Sequence, residues 1–352
     1  MVHFVGVKTK SAEFLRRKLK ERNLLLTGFA AFQKNGKIYF PIKNSEEVRK
    51  LLETLNLNGD IIESEISQKK KKRGKLYELI ADKIPETLIK YIPRSFDVIG
   101  DICIVEMNEE IWPYREIIGR TIVEQFKNIK SVYAKGGKVS GDIRVRPLIH
   151  VYGEKKTLTI HRENNCIFYV DVAKVYFSPR LATEHMRVAK QVKDGEIIVD
   201  MFAGVGPFSI LIAKMANAKI YAIDKNPSAI ELLKRNIQIN KLKGTVIPIL
   251  GDARDVIRKQ LEKNVADRVI MNLPLSADKF LDVAFYALKN EGVIHFYTVK
   301  RENEPYDRIF DFLKSKAEEE GYKLERVLTC RKVKEIAPHE FQIVVDCFFK
   351  LK

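Results

Sequence analysis

The carboxy-terminal half of the chain alternates apolar runs with stretches of helical spacing, and this alternation limits the possible folds more than any other feature. The runs predict strands at 196–200, 218–224, 246–250, 268–271 and 292–298. The stretches between them predict helices at 208–216, 227–240, 255–263 and 277–289. This order is typical of a doubly wound parallel sheet, an α/β architecture. Two further strand patterns, 323–329 and 342–349, are joined by a short connection, which favours antiparallel pairing.

The first part of the chain has the pattern of a small α+β module. The expected elements are a strand at 4–7, a helix at 11–22 and a hairpin at 29–42. The hairpin is centred on Asn35-Gly36, a dipeptide that favours tight two-residue turns. Ser11 is a candidate N-cap of the helix, and its apolar face is expected to contain Phe14, Leu15 and Leu19.

A basic run, Lys69–Lys75, separates this module from the rest of the chain. Like charges resist packing, so the run is either a solvated linker or a phosphate-binding arm. Beyond it we expect a strand at 98–105, a helix at 108–129, a loop at 132–138 and strands at 143–146, 148–152 and 157–161. The predicted domains are therefore 1–68, a linker at 69–75, a second α+β domain at 76–173, and the α/β domain at 174–352.

The composition limits which binding partners and which cellular compartment we expect for the chain. The formal net charge of +17 favours a polyanion such as nucleic acid, although a basic surface that serves solubility or thermal stability is the alternative. The four cysteines, Cys103, Cys166, Cys330 and Cys347, form no metal-ligand pattern, so we expect no zinc site and a reducing compartment. No secretory signal and no apolar run of about 18 residues is present, which predicts a cytoplasmic protein without membrane association.

The most specific motif runs from Asp200 to Phe208, between the first strand of the α/β domain and its helix. Gly204 and Gly206 allow backbone to approach a ligand closely at the carboxyl edge of the sheet. Dinucleotide-binding loops have a similar pattern, but here Ser209 replaces their third glycine, and Pro207 offers no N–H to a pyrophosphate. A neutral nucleoside with an amino-acid tail suits this loop better.

Two further acids follow the next strands. Asp224 ends the second strand, at the spacing where an acid binds ribose hydroxyls. Asp252 follows the third strand, where it can accept a hydrogen bond from an adenine amino group. The alternative is that both aspartates only cap helices.

With these residues the chain resembles the class I S-adenosylmethionine-dependent methyltransferases, whose Rossmann-like sheet has seven strands with the last one antiparallel. The resemblance implies that Asp200, Phe202 and the Gly204–Gly206 turn lie near the methionine part of S-adenosylmethionine, with Asp224 at the ribose and Asp252 at the adenine. Further candidates for this pocket are Tyr176, Phe177, Asn272 and Pro274, and core packing is the alternative for the two aromatic residues.

The fourth strand is followed by Asn272-Leu273-Pro274, next to the expected cofactor site. Enzymes of this class that methylate base nitrogens often have Asn/Asp-Pro-Pro-aromatic here, where the polar side chain and carbonyl groups accept bonds from the base. The second proline and the aromatic residue are missing, because Leu273 and Leu275 stand there, which disfavours an ordinary exocyclic amino-methyltransferase. A C5-cytosine enzyme needs a cysteine near this loop, and none is present.

Asn272-Leu273-Pro274, together with 159–164 and 175–184, resembles the archaeal and eukaryotic tRNA (guanine-37-N1)-methyltransferase family. This resemblance implies methylation of N1 of guanosine 37, on the 3′ side of the anticodon. It also implies that the N-terminal module contacts the outer corner of the tRNA while the catalytic part holds the anticodon loop. The chain departs from the family pattern at Asn165, where a glycine is common, although asparagine tolerates positive φ.

Guanine N1 carries a proton whose pKa is near that of tyrosine, about 10, so a general base must remove it before N1 attacks the methyl group. Negative charge then gathers on O6 and needs a cationic donor. The family resemblance selects Glu184 as the base and Arg144 as the cation, and Asn272 and Pro274 as residues that hold the base. A surface salt bridge or a helix-turn charge is the alternative for Glu184 and Arg144.

Three other functions stay open. A related RNA base methyltransferase would form N2-methylguanosine or methylate a wyosine precursor at the same position. A non-catalytic RNA-binding protein could keep the same fold, although the intact set Asp200, Asp224, Asp252 and Asn272 argues against it. A nicotinamide oxidoreductase is disfavoured by Pro207 and Ser209. We expect a monomer that uses S-adenosylmethionine and tRNA and no metal ion.

Overall fold

The structure is a computed structural model that describes residues 2–26, 29–64, 76–81, 83–137 and 147–352. The chain divides into two compact units, residues 1–75 and 76–352. The basic run 69–75 and the expected strand at 143–146 lie outside the described residues. Among the described helices, none combines the length and the apolar character that crossing a lipid bilayer requires.

The first unit is a four-stranded antiparallel sheet with two helices. Its elements are β1 (Val2–Lys8), α1 (Thr9–Glu21), β2 (Phe32–Lys34), β3 (Lys37–Pro41), α2 (Ser45–Thr54) and β4 (Gly59–Ser64), and the sheet order is β2-β3-β1-β4. The predicted hairpin is confirmed: Asn35 and Gly36 have φ of 48° and 73°, which a tight two-residue turn requires.

Two details of the predicted helix in this unit are wrong. The helix begins at Thr9, and its N-cap position, Lys8, makes no side-chain capping bond, so Ser11 lies inside the helix and does not cap it. Phe14 is 41% exposed, whereas Leu15 and Leu19 are fully buried. The apolar stripe is therefore narrower than the sequence pattern predicts.

The second unit begins with another four-stranded sheet, in the order β5-β6-β7-β8. Its elements are α3 (Leu76–Ile80), β5 (Phe96–Ile99), β6 (Ile102–Val105), α4 (Arg115–Gln125), β7 (Ser131–Lys135) and β8 (Leu148–Gly153), with 3₁₀ turns at Glu86–Tyr91 and Glu109–Tyr114. The helix expected at 108–129 is thus a 3₁₀ turn followed by a shorter α-helix.

Two predictions for this sheet are wrong. The single strand expected at 98–105 is a hairpin, because Gly100 turns the chain with φ of 57°; a Cβ on Gly100 would lie 2.1 Å from Thr159 Oγ1. The loop expected at 132–138 is largely strand β7, which is buried between β6 and β8.

A two-stranded ribbon leads into the α/β part of the unit. Its strands are β9 (Leu158–Glu163) and β10 (Cys166–Asp171), followed by a 3₁₀ turn at Pro179–Leu181 and by α5 (Ala182–Ala189). Asn164 and Asn165 connect β9 to β10 with φ of 49° and 60°. Asparagine tolerates this backbone conformation, so the departure from glycine at position 165 is accommodated.

The predicted doubly wound sheet is confirmed, with seven strands in the order β13-β12-β11-β14-β15-β17-β16. Its elements are β11 (Ile197–Asp200), α6 (Pro207–Met215), β12 (Lys219–Asp224), α7 (Pro227–Ile239), β13 (Thr245–Leu250), α8 (Ala253–Gln260), β14 (Ala266–Met271), α9 (Leu281–Ala287), β15 (Leu288–Arg301), α10 (Asp307–Glu319), β16 (Tyr322–Ala337) and β17 (Glu340–Leu351). Strands β11 to β15 are parallel, and β17 is antiparallel to both of its neighbours. The carboxyl ends of β11 to β14 and the beginning of β17 therefore lie at one edge, which positions the candidate site.

Candidate active site

The glycine-rich loop at the end of β11 is held by a buried aspartate. Asp200 is completely buried, and Ser209 Oγ donates a hydrogen bond of 2.7 Å to its Oδ2. Burial raises the pKa of Asp200 to about 7, although the bond from Ser209 favours the charged form. Among the described residues Oδ1 has no hydrogen-bond partner, which leaves a buried acceptor beside the loop.

The two glycines of the loop have left-handed backbone conformations, with φ of 56° at Gly204 and 91° at Gly206. A Cβ on Gly206 would lie 2.4 Å from Leu233 Cδ1, so only glycine fits there without a shift. Pro207 begins α6 directly after this turn. The loop therefore presents backbone, with little side chain, at the edge of the sheet.

Asp224 connects the end of β12 to the same loop. Its Oδ2 accepts a bond of 2.7 Å from the Gly204 N–H, and its Oδ1 accepts one of 2.8 Å from the Asn226 N–H. Burial raises the pKa of Asp224, and these two N–H groups oppose that rise. Each oxygen keeps a second lone pair, so the carboxylate can still accept bonds from two neighbouring hydroxyls.

Asp252 is the N-cap of α8, where its Oδ1 accepts a bond of 2.9 Å from the Arg254 N–H. This is the helix-capping alternative that the sequence left open. Capping occupies one lone pair of one oxygen, so a ligand bond to the same carboxylate is compatible with it.

The aromatic candidates lie in different surroundings. Tyr176 is 52% exposed, its carbonyl oxygen lies near Gly204, and its hydroxyl accepts a bond of 2.8 Å from Lys334 Nζ. Phe177 packs edge-on against His161, with ring centres 5.0 Å apart. Phe202 packs in the same way against Phe280 at 5.1 Å. Tyr176 is thus available at the loop, whereas Phe177 and Phe202 contribute packing contacts.

The loop after β14 has a fixed main chain. The Leu273 N–H donates to the Met271 carbonyl at 2.9 Å, which makes a tight turn centred on Asn272. The side chain of Asn272 is also held, because its Oδ1 accepts a bond of 2.9 Å from Gln342 Nε2. Pro274 is half-buried, and the adjacent Leu275 is 69% exposed.

Glu184 lies on α5 and is 1% exposed, so it is not a surface charge. Arg187 donates to its carboxylate from Nε at 3.0 Å and from Nη2 at 2.7 Å, and the Tyr297 hydroxyl donates at 2.7 Å. Burial and the neighbouring Glu184 carboxylate raise the pKa of Tyr297 well above its usual value, so Tyr297 keeps its proton and donates.

Arg187 is shared between two carboxylates, because it also donates to Asp346 on β17. Although burial acts to raise it, the pKa of Asp346 is held well below its usual range by His295 and Arg187. His295 Nδ1 lies 2.8 Å from Asp346 Oδ1. The network therefore fixes the position of Glu184 and keeps Asp346 charged.

The structure brings Asp200, Gly204, Gly206, Asp224, Asp252 and Asn272 to the carboxyl edge of the sheet, as the strand ends require. Arg144 lies outside the described residues. No group of His, Cys, Asp and Glu within the described ranges is arranged to hold a metal ion.

Sequence analysis missed the residues that support Glu184 and Asn272, namely Arg187, Tyr297, Gln342 and Asp346. One signal for two of them was present. Gln342 and Asp346 stand four positions apart in the otherwise apolar stretch 341–349, and both are buried, at 2% and 0% exposure. A buried polar side chain in such a strand needs a partner, which points to a site.

Comparison with known proteins identifies the family of the chain. A family model described as the TRM5/TYW2 methyltransferase domain matches residues 159–325, and one described as the TYW2 N-terminal domain matches residues 76–157. The tRNA (guanine(37)-N(1))-methyltransferase Trm5b of Pyrococcus abyssi is 42% identical over 343 residues, which cover 97% of each chain.

Two further proteins are similar over most of the chain. The tRNA 4-demethylwyosine(37)-methyltransferase Taw21 of Saccharolobus solfataricus is 36% identical over 269 residues, 74% of this chain and 98% of that protein. The crystal structure of Methanocaldococcus jannaschii Trm5 in complex with adenosine has a TM-score of 0.65 and 38% identity, and the match covers 99% of both chains.

Proposed function

This chain belongs to the TRM5/TYW2 methyltransferase family, and we propose that it transfers the methyl group of S-adenosylmethionine to N1 of guanosine 37 in tRNA. One observation favours methylation of guanosine 37 over methylation of a wyosine precursor within this family. The match to Trm5b covers 97% of both chains, whereas the match to Taw21 leaves about a quarter of this chain uncovered. The match to Trm5b therefore includes nearly all of the first unit, residues 1–75.

S-adenosylmethionine is the proposed methyl donor, and its bound form supplies an electrophilic methyl group on sulfur. The backbone of Gly204 and Gly206 leaves room for the amino-acid part, and the carboxylate of Asp224 suits two ribose hydroxyls. Asp252 keeps acceptor capacity for the adenine amino group beyond its helix cap. The crystal structure of Methanocaldococcus jannaschii Trm5 in complex with adenosine supports this proposal, because a similar protein binds a nucleoside.

The acceptor chemistry is assigned to Glu184, Arg144, Asn272 and Pro274. Glu184 takes the proton from guanine N1, N1 forms the new bond to the methyl carbon, and the bond between that carbon and sulfur breaks. Arg144 stabilises the negative charge on O6, and Asn272 and Pro274 hold the base. Arg187 and Tyr297 keep Glu184 in place, because both donate to its carboxylate. The target base leaves its stack to reach the sheet edge, which an anticodon loop permits at low cost.

The first unit is proposed to contact the outer corner of the tRNA, and residues 76–352 to hold the anticodon loop. The domain boundaries 68/69, 75/76 and 173/174 are part of this proposal. The net charge of +17 supports binding to the phosphate backbone. We propose that the protein is a monomer and acts in the cytoplasm. Sedimentation at working concentration tests the monomeric state.

Transfer of labelled methyl to unmodified tRNA transcripts tests this function, with G or A at position 37 as the only difference. Label on the G37 transcript alone supports the proposal. Label on both transcripts would mean that the methylated nucleotide is not nucleotide 37. No label on either, with the cofactor bound, would indicate a modified precursor or a non-catalytic RNA-binding protein.

A second candidate is methylation of a wyosine precursor at the same position. The identity of 36% to Taw21 favours it as the alternative. A transcript that carries 4-demethylwyosine at position 37 distinguishes the two, because the proposed enzyme prefers unmodified guanosine.

A further inference from the structure

Gln342 lies near the beginning of β17, at the edge of the sheet that carries the candidate site. It is 2% exposed, and its backbone is paired with Val299 on β15 and Lys334 on β16. A buried glutamine amide costs free energy unless it is hydrogen-bonded. Its Nε2 donates to Asn272 Oδ1 at 2.9 Å, a bond between residues 70 positions apart in the sequence.

The bond completes the fixation of Asn272. The tight turn from Met271 to Leu273 already holds the main chain of this residue, which leaves only its side-chain torsions free. In this bond Gln342 Nε2 is the donor, so Asn272 turns its oxygen toward Gln342 and its Nδ2 group away from it. The strand that carries Gln342 is paired on both sides, so the backbone from which this side chain extends is rigidly held.

We propose that Gln342 is a positioning residue for methyl transfer, because it orients the amide of Asn272 so that Nδ2 faces the acceptor base as a donor. This inference rests on the proposed function. When N1 loses its proton, negative charge gathers on guanine O6, and a nearby donor stabilises it. The reversed amide would place an oxygen against O6 and repel it. Adenine has an amino group at the same position, so the orientation also favours guanine.

The test compares Gln342→Met, which keeps the length but cannot donate, with Gln342→Glu, which can only accept. Single-turnover methyl transfer to the G37 transcript is measured for both, alone and combined with Asn272→Ala. Binding of S-adenosylhomocysteine and thermal unfolding are measured in parallel. Gln260→Met is the matched control, because Gln260 is exposed at the end of α8, outside the site.

We expect Gln342→Met to lower the single-turnover rate about ten-fold, the effect of losing about one buried hydrogen bond in the transition state. Gln342→Glu lowers it further, because the carboxylate accepts from Asn272 Nδ2 and turns the amide over. The affinity for S-adenosylhomocysteine stays within about two-fold of wild type, as does the enzyme concentration that half-saturates the single-turnover rate, and Gln260→Met changes none of these quantities. In the Asn272→Ala background, Gln342→Met causes no further loss.

Two results would overturn the inference while leaving the proposed function intact. One is wild-type transfer by both Gln342 variants. The other is a loss from Gln342→Met that multiplies with the loss from Asn272→Ala, which would mean that the two residues act independently. If the wild-type protein methylates a base other than G37, the proposed function is contradicted and the inference about Gln342 is not. The same double-mutant cycle, measured on that other product, would still show whether Gln342 and Asn272 act together.

Discussion

Substitution of Glu184 by glutamine tests the role of the buried carboxylate most sharply. Glutamine has nearly the same size and keeps one oxygen that Arg187 and Tyr297 can donate to, so the site keeps its shape. The variant loses the ability to take the proton from guanine N1. General bases contribute about 10²–10⁴-fold to rate, so we expect a single-turnover rate lowered about a hundred-fold or more.

The pH dependence separates loss of the base from general damage. In the variant, solvent hydroxide must remove the N1 proton, so the residual rate is expected to rise about ten-fold per pH unit between about pH 7 and 9. The wild-type rate rises less steeply over the same range, because Glu184 takes the proton. The assay is single-turnover transfer of labelled methyl to the G37 transcript at saturating enzyme.

A matched control exists at the opposite edge of the sheet. Glu196 forms a largely buried pair with Arg268, in which Arg268 Nε donates to Glu196 Oε2 at 2.6 Å. Breaking a buried ion pair costs up to about 3–5 kcal/mol, so Glu184→Gln and Glu196→Gln should both lower the free energy of unfolding. Only Glu184→Gln should change the rate and the pH profile. Wild-type rate and pH profile in Glu184→Gln, or equal rate losses in both variants, would refute the assignment of the base.

Three further outcomes are expected. Gly206→Ala places a β-carbon at positive φ, 2.4 Å from Leu233 Cδ1, and should lower the free energy of unfolding by about 1–3 kcal/mol; an unchanged melting temperature would contradict this. The pKa of Asp200 is raised to about 7, so in the folded protein this group binds its proton more tightly than in the unfolded chain, and stability falls as pH rises from about 4 to 7. Between pH 5 and 8, the free energy of unfolding of Asp200→Asn should therefore rise by about 2 kcal/mol relative to that of wild type, measured by urea unfolding of the cofactor-free protein. If the unfolding free energies of the two proteins change in parallel with pH, this effect is excluded. Deletion of residues 1–75 should weaken tRNA binding at matched salt while S-adenosylhomocysteine binding stays unchanged, and equal tRNA affinity before and after deletion would show that the first unit does not bind tRNA.

The α/β sheet could be predicted because its strands and helices alternate with clear periodicity. The site could be predicted because characteristic glycine, aspartate and asparagine residues stand at the strand ends. Each of Asp200, Asp224, Asp252 and Asn272 ends a predicted strand or comes just after one, and parallel strands bring such positions to one edge. The position of these residues therefore follows from local sequence alone.

The errors have a different cause. Strand β7 was expected to be a loop, because Val132-Tyr133-Ala134 is a short run before two glycines, and only its pairing with β6 and β8 makes it a strand. The sequence pattern predicts Gly100 inside one strand, whereas the chain turns there at positive φ and the Gly100 N–H donates to His161 Nδ1 at 3.1 Å. In both cases contacts distant in sequence outweigh the local pattern.

The supporting network of the site could not be predicted for the same reason. Arg187 joins Glu184 to Asp346, which is 159 positions further along the chain, and Tyr297 reaches Glu184 across 113 positions. Periodicity identifies neighbours within one element and does not identify such partners. The burial of Gln342 and Asp346 becomes meaningful only when β17 is placed in the sheet.

Nucleoside analysis of the methylated tRNA tests the central claim most directly. An unmodified G37 transcript is methylated to completion, digested to nucleosides and separated by liquid chromatography with mass spectrometry, and the position is mapped on nuclease fragments. The account predicts 1-methylguanosine, on the fragment that contains nucleotide 37. N2-methylguanosine as the product, or a methyl group on any other fragment, would contradict it.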